Sequence, residues 1–183
     1  MGKKAVLFLV TGFEEAEALV TVDILRRGGI EVTTVSLTGS KMVTGSHDIS
    51  VEADALFNEI KGEYDALILP GGPGTARYNE SGPLLEFIKK SSQNPNIVLA
   101  AICAAPSVLG NLGLLEGKRA TCYPGFEDKL KGADVTTNPY EADGRIITGR
   151  SAGSVFDFSL ALLKELAGDE IYNKVKDAVI WFR

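Results

Sequence analysis

Apolar positions along this chain gather into short continuous runs at residues 5–10, 30–36, 66–69 and 97–102, with a briefer one at 146–148. A run that is apolar at successive positions has two faces to bury, which predicts strands inside a sheet covered on both sides. Between the runs, apolar residues recur at the helical period over residues 14–27, 82–90, 105–112 and 155–166, and a last helix is expected near 169–178. Alternation of this kind predicts an α/β fold, a mostly parallel sheet with helices on both faces.

Local signals set the boundaries. Thr11-x-x-Glu14 and Ser154-x-x-Asp157 both have the spacing of a capping box and predict helix starts. Residues 136–149 read as a hairpin turning at Asp143-Gly144. Residues 51–59 and 120–137 follow no regular period. No linker, internal repeat or low-complexity stretch interrupts the chain, so residues 1–183 are expected to form a single domain. A chain of this length buries roughly 70% of its unfolded surface, enough for one ample core.

Composition removes several function classes. With 45% hydrophobic and 23% charged residues the chain resembles an ordinary soluble globular protein. A net charge of −5, with no run of basic residues longer than two, argues against a nucleic-acid partner. No apolar run approaches the roughly 20 residues needed to cross a bilayer, and the first one leads into acidic residues rather than a cleavage site, so a cytoplasmic protein is expected. Two cysteines and one histidine lack the spacing of a zinc site, and no metal is expected.

In an open parallel sheet, ligands bind beyond the carboxyl ends of the strands. Three strand ends carry unusual chemistry: residues 12–17, 70–74 and 103–106. Cys103 lies between the most apolar strand and a helix start, so a sharp turn, closed by the small residues Ala101, Ala104 and Ala105, would lift its thiol toward helix N-terminal amides that favour a thiolate. An inert thiol at the end of a buried strand satisfies the same spacing. Cys122 has no comparable turn and reads as a core residue.

Glu14, Glu15 and Glu17 crowd one helical turn, where carboxylates interact favourably with the helix dipole. For Glu14, in the reciprocal capping position, that account suffices. Glu17 aligns with Val20, Thr21 and Ile24, the stripe expected to face the sheet; partial burial would raise its pKa and let it donate to a thiolate or shuttle protons. A purely structural glutamate remains the alternative. Gly71-Gly72-Pro73-Gly74 could present amides to a bound oxyanion, or could be only a tight turn. It is not a phosphate loop, because no Gly-Lys-Ser/Thr follows, and Arg77 breaks a dinucleotide fingerprint. Cysteine peptidases generally need a histidine beside the nucleophile, whereas Ala104 follows Cys103 and His47 lies far away in sequence. Peptide hydrolysis is therefore disfavoured, and His47 reads as a loop or interface residue.

With these residues assembled, the chain resembles the ThiJ/PfpI superfamily, in the branch of the parkinsonism-associated protein deglycase and its bacterial relatives. The resemblance rests on Gly-Phe-Glu-Glu-Ala-Glu at 12–17, Val-Asp-Ile-Leu-Arg-Arg-Gly-Gly-Ile at 22–30, Leu-Pro-Gly-Gly at 69–72, Ala-Ala-Ile-Cys-Ala-Ala-Pro at 100–106 and Thr-Gly-Arg-Ser-Ala-Gly-Ser at 148–154. It implies a flavodoxin-like three-layer sandwich, a homodimer, Cys103 as nucleophile on a nucleophile elbow, Glu17 as its protonated partner, and the amides of Gly72 and Ala104 as an oxyanion pocket, with Gly71 beside it. Tyr123 stands where the branch commonly has a histidine, and His47 where relatives often carry arginine. A phenol with an ordinary pKa near 10 is a poor base at neutral pH.

The expected function is cofactor-independent glyoxalase or deglycase chemistry on methylglyoxal, related reactive aldehydes or glycated adducts. A redox sensor or stress-protective chaperone, with Cys103 oxidised to a sulfinate, uses the same thiol. A peptidase or amidase comes third.

Overall fold

The computed structural model describes residues 2–182. In chain order the elements are β1 (Lys4–Leu9), α1 (Glu15–Arg27), β2 (Glu31–Ser36), β3 (Met42–Thr44), β4 (Ser50–Glu52), β5 (Ala55–Leu56) and β6 (Ala66–Leu69). Then follow α2 (Ala76–Glu80), α3 (Gly82–Ser91), β7 (Val98–Ile102), α4 (Pro106–Asn111), β8 (Arg119–Ala120), β9 (Asp134–Val135), β10 (Tyr140–Asp143), β11 (Ile146–Gly149) and α5 (Val155–Ala178).

Seven strands form one sheet in the order β10-β11-β7-β6-β1-β2-β5. Every pairing is parallel except β10 with β11, the hairpin expected at Asp143-Gly144. Alternate residues of β1 serve opposite layers: Ala5, Leu7 and Leu9 pack with α1 and α5, while Val6 and Phe8 pack with Tyr78, Leu84, Ile88, Val108 and Leu109 from α2, α3 and α4. The continuous apolar runs thus have the predicted cause, a sheet buried on both faces. Each fully buried Leu, Ile or Phe contributes about 1.5–3 kcal/mol relative to exposure. Helices α1 and α5 also lock together through Thr21 Oγ1 and Ser159 Oγ, 2.9 Å apart and buried.

Both capping-box expectations fail. Helix α1 starts at Glu15, and its N-cap, Glu14, makes no side-chain capping bond; the Glu14 N–H donates instead to the Gly71 carbonyl at 2.9 Å. At the start of α5, the hydroxyl of Ser154 is turned to the backbone of Ser151, whose N–H it accepts at 3.1 Å, and Ser154 makes no side-chain cap to the helix. The two C-terminal helices expected from sequence run together as α5 across Gly168, whose φ of 81° breaks the helical path. The hairpin of β3 and β4 and the short parallel pair of β8 and β9 fall in or next to segments where no period was visible.

The strand order places the site. After β1 the chain winds to β2 on one side, then returns to lay β6 on the other. The carboxyl ends of β1 and β6 therefore flank a reversal of winding, the position where open α/β sheets form a crevice. The 10–14 turn and the glycine loop after β6 leave from it, and β7 delivers Cys103 next door.

Candidate active site

Cys103 occupies the turn between β7 and α4 with φ at +64°, a left-handed conformation that costs a non-glycine residue about 1–2 kcal/mol. Two backbone bonds hold it there: its N–H donates to the Gly149 carbonyl at 2.9 Å, and its carbonyl accepts the Tyr123 N–H at 2.8 Å. The half-buried thiol faces the amides of Gly72 and Ala104, which favour its ionised form. The turn has the strained geometry of a nucleophile elbow.

The carboxyl of Glu17 reaches this thiol from α1. Only 1% of the residue is exposed. Oε2 accepts the Gly71 N–H at 2.8 Å. Oε1 is a buried side-chain oxygen with no hydrogen-bond partner among the described residues, and the Cys103 thiol lies near enough to lower the pKa of the carboxyl. Gly71 makes the meeting sterically feasible. A Cβ on it would lie 2.6 Å from the Cβ of Cys103 and 2.8 Å from Glu17 Oε2. Gly72, at φ +97°, is equally confined, since a Cβ there would lie 2.5 Å from the Glu14 nitrogen.

Burial dominates the electrostatics. It pushes Glu17 up to about 7, with nearby Glu14 adding to the rise and the Gly71 N–H and the Cys103 thiol opposing it. Burial also raises the Cys103 thiol, assisted by the negative charge of Glu17 and the hydrogen bond to it, up to about 12. The Gly72 and Ala104 amides lower the thiol, as expected of amides at a helix start, but burial outweighs them. Cys103 and Glu17 instead share a proton. Over neutral and mildly alkaline pH the pair retains one proton, and the thiolate forms when that proton sits on the carboxyl.

The other expected residues are distributed differently. Tyr123 adjoins Cys103 through its backbone, while its side chain is half exposed. His47 lies on the loop joining β3 to β4, and its hydrogen bonds go to Ser46 and Glu15, not to Cys103. Its Nδ1 is 2.8 Å from Glu15 Oε2, its backbone N–H donates to Glu15 Oε1 at 2.7 Å, and Ser46 Oγ donates to both Glu14 Oε2 and Glu15 Oε2 at 3.1 Å. Burial pushes Glu15 up, but these bonds outweigh it and bring the carboxyl down to about 2. The sequence reading missed this pairing, because 32 residues and an unpredicted hairpin separate the partners. Donor atoms of Glu14, Glu15 and His47 lie within 4.8 Å of one another, yet they already pair among themselves, and the cluster reads as an ion-pair group. Cys122 is 1% exposed in the core beneath α4, where burial and the charge of Glu127 raise its thiol to about 11. Among the described residues no helix is long and apolar enough to cross a membrane.

Comparison with known proteins matches residues 3–165 to the model of the DJ-1/PfpI family. Protein DJ-1 homolog B of Arabidopsis thaliana is 40% identical over 92% of this chain, which spans 39% of that protein. Parkinson disease protein 7 homolog of Danio rerio is 34% identical, with 98% of this chain and 97% of that one covered. A Caenorhabditis elegans relative, 30% identical over 88% of this chain and 87% of its own, is named glutathione-independent glyoxalase DJR-1.2. The crystal structure of Drosophila melanogaster DJ-1beta superposes with a TM-score of 0.95 at 32% identity, covering all of both chains.

Proposed function

The chain belongs to the DJ-1/PfpI family, and from that premise we propose that it converts small reactive 2-oxoaldehydes such as methylglyoxal to hydroxy acids, with Cys103 as nucleophile and Glu17 as proton carrier. The observation that carries this reading is the focus of four groups on one sulfur: the Glu17 carboxyl, the Gly72 and Ala104 amides, and the strained turn that presents the thiol. Proton transfer from Cys103 to Glu17 leaves a thiolate, which adds to the aldehyde carbon to give a hemithioacetal oxyanion. The two amides would stabilise that oxygen as they do the sulfur. Glu17, back in the carboxylate form once it has protonated the adduct, removes the hydrogen from the former aldehyde carbon and returns it to the adjacent carbon. Water then releases the thioester as lactate. The balance is methylglyoxal plus water to lactic acid, and no cofactor enters. A homodimer is carried over from the resemblance as part of the proposal, to be checked by light scattering.

One observation also favours a sensor role. Oε1 of Glu17 lacks a hydrogen-bond partner among the described residues, and a protonated carboxyl could donate through it to a sulfinate on Cys103. The deciding experiment measures lactate from methylglyoxal for wild type, Cys103→Ser and Glu17→Ala, together with intact mass after mild peroxide. Turnover abolished in both variants is the expected result. Negligible wild-type turnover with selective uptake of two oxygens at Cys103 would overturn the enzyme reading in favour of the sensor.

A further inference from the structure

We infer that His47 is a positioning residue that couples the charge of the β3–β4 loop to the Cys103–Glu17 pair, so that the reactivity of the pair follows the protonation of an exposed imidazole. The inference deepens the reading above, since it concerns the same two groups.

The path is short and continuous. The loop is docked on the turn before α1: Gly12 N–H donates to the Thr44 carbonyl at 2.8 Å and Ser46 N–H to the Phe13 carbonyl at 2.9 Å. A Cβ on Gly45 would lie on Glu15 Oε1, so the loop approaches this carboxylate as closely as a backbone can. His47 Nδ1 stands 2.8 Å from Glu15 Oε2 and 3.7 Å from Glu14 Oε2. From Glu14 the connection passes to the site twice. Its N–H holds the Gly71 carbonyl at 2.9 Å while the Gly71 N–H holds Glu17 Oε2 at 2.8 Å, and its negative charge bears directly on Glu17.

The charged groups around His47 are Glu14 and Glu15 from the turn and first residue of α1, and Asp48 beside it on the loop; all three favour the imidazolium. Those around Glu17 are Glu14 and the Cys103 thiol, with buried Tyr78 on the opposite layer. As pH rises and His47 loses its proton, Glu14 and Glu15 lose their only close cation among the described residues. The negative field of Glu14 at Glu17 is then no longer offset, and the first deprotonation of the Cys103–Glu17 pair becomes harder. The imidazole therefore opposes thiolate formation on the alkaline side of its titration. A fixed cation at this position would remove that dependence.

The test follows the rate of Cys103 alkylation by iodoacetamide against pH in low-salt buffer for wild type, His47→Arg and His47→Gln, with Cys103→Ser giving the background. The midpoint of His47→Gln should lie roughly 0.2–0.7 pH unit above that of His47→Arg, as for other exposed charge pairs. Wild type should track His47→Arg at low pH and cross to His47→Gln at high pH, and the differences should collapse in about 0.5 M salt. Three superimposed low-salt profiles would overturn the inference. So would differences that survive high salt, which indicate altered packing rather than charge. Alkylation does not depend on aldehyde turnover, so a chain inert toward methylglyoxal but showing the crossing profile would reject the proposed reaction and keep the coupling.

Discussion

Replacing Glu17 by glutamine should stabilise the protein at alkaline pH while removing its activity. Gln keeps an oxygen for the Gly71 N–H that Glu17 Oε2 accepts at 2.8 Å, but it cannot ionise. The wild-type carboxyl rises from 4.5 in the unfolded chain to about 7 in the fold. A folded-state value above the unfolded one means that the stabilising contribution is complete below pH 4.5 and is lost as pH climbs through 7. The rise corresponds to about 3 kcal/mol, the cost of keeping a carboxylate where burial disfavours it. Glutamine escapes that cost. For a chain of 183 residues, the difference amounts to about 6–12 °C in Tm. Thermal melts of wild type and Glu17→Gln at pH 5 and pH 8 provide the assay: the variant should gain little at pH 5 and close to the full increment at pH 8. An increment of the same size at both values would refute the reasoning, because a packing or hydrogen-bond effect of the amide has no such pH dependence. A gain in stability with loss of turnover is the pattern expected where a site is held in a costly state for its chemistry.

Gly71→Ala should cost about 1–3 kcal/mol by overpacking, since its Cβ would lie 2.6 Å from that of Cys103, and should sharply reduce turnover; wild-type melting and turnover would contradict the close approach. Cys122→Ala should lower stability by about 1 kcal/mol and leave both lactate formation and peroxide uptake at Cys103 unchanged, because the thiol is a core group at 1% exposure. A parallel loss of activity would show that the second thiol belongs to the site. Glu15, lowered from 4.5 to about 2, contributes stability that is present above pH 4.5 and lost as pH falls toward 2. Glu15→Gln should accordingly be less stable than wild type at pH 7 and converge with it near pH 2, as read by urea titration; a constant difference would reject the pairing with His47 as its source.

The sequence by itself determined the layers and the position of Cys103 on a turn between strand and helix. Short runs of apolar residues read as strands covered on both faces, and an apolar run ending at Ile102 with a helical pattern over 105–112 leaves Cys103 on a sharp turn. Helical phase likewise placed Glu17 on the buried face of α1. These are properties of neighbouring residues, and periodicity transmits them. Tertiary structure decided everything that depends on partners far apart in the chain. Neither capping motif survived, because a local donor such as the Glu14 N–H was claimed by Gly71, 57 positions away. The role of Gly71 as the gap through which carboxyl and thiol meet appears only once β1, β6 and β7 lie side by side. The balance between helix amides and burial at Cys103 also turned on solvent exclusion by the complete fold, which no spacing of residues expresses. The Glu15–His47 pair depends on a hairpin of three-residue strands, too short to leave a period and long enough to bring a cation to the helix that carries Glu17.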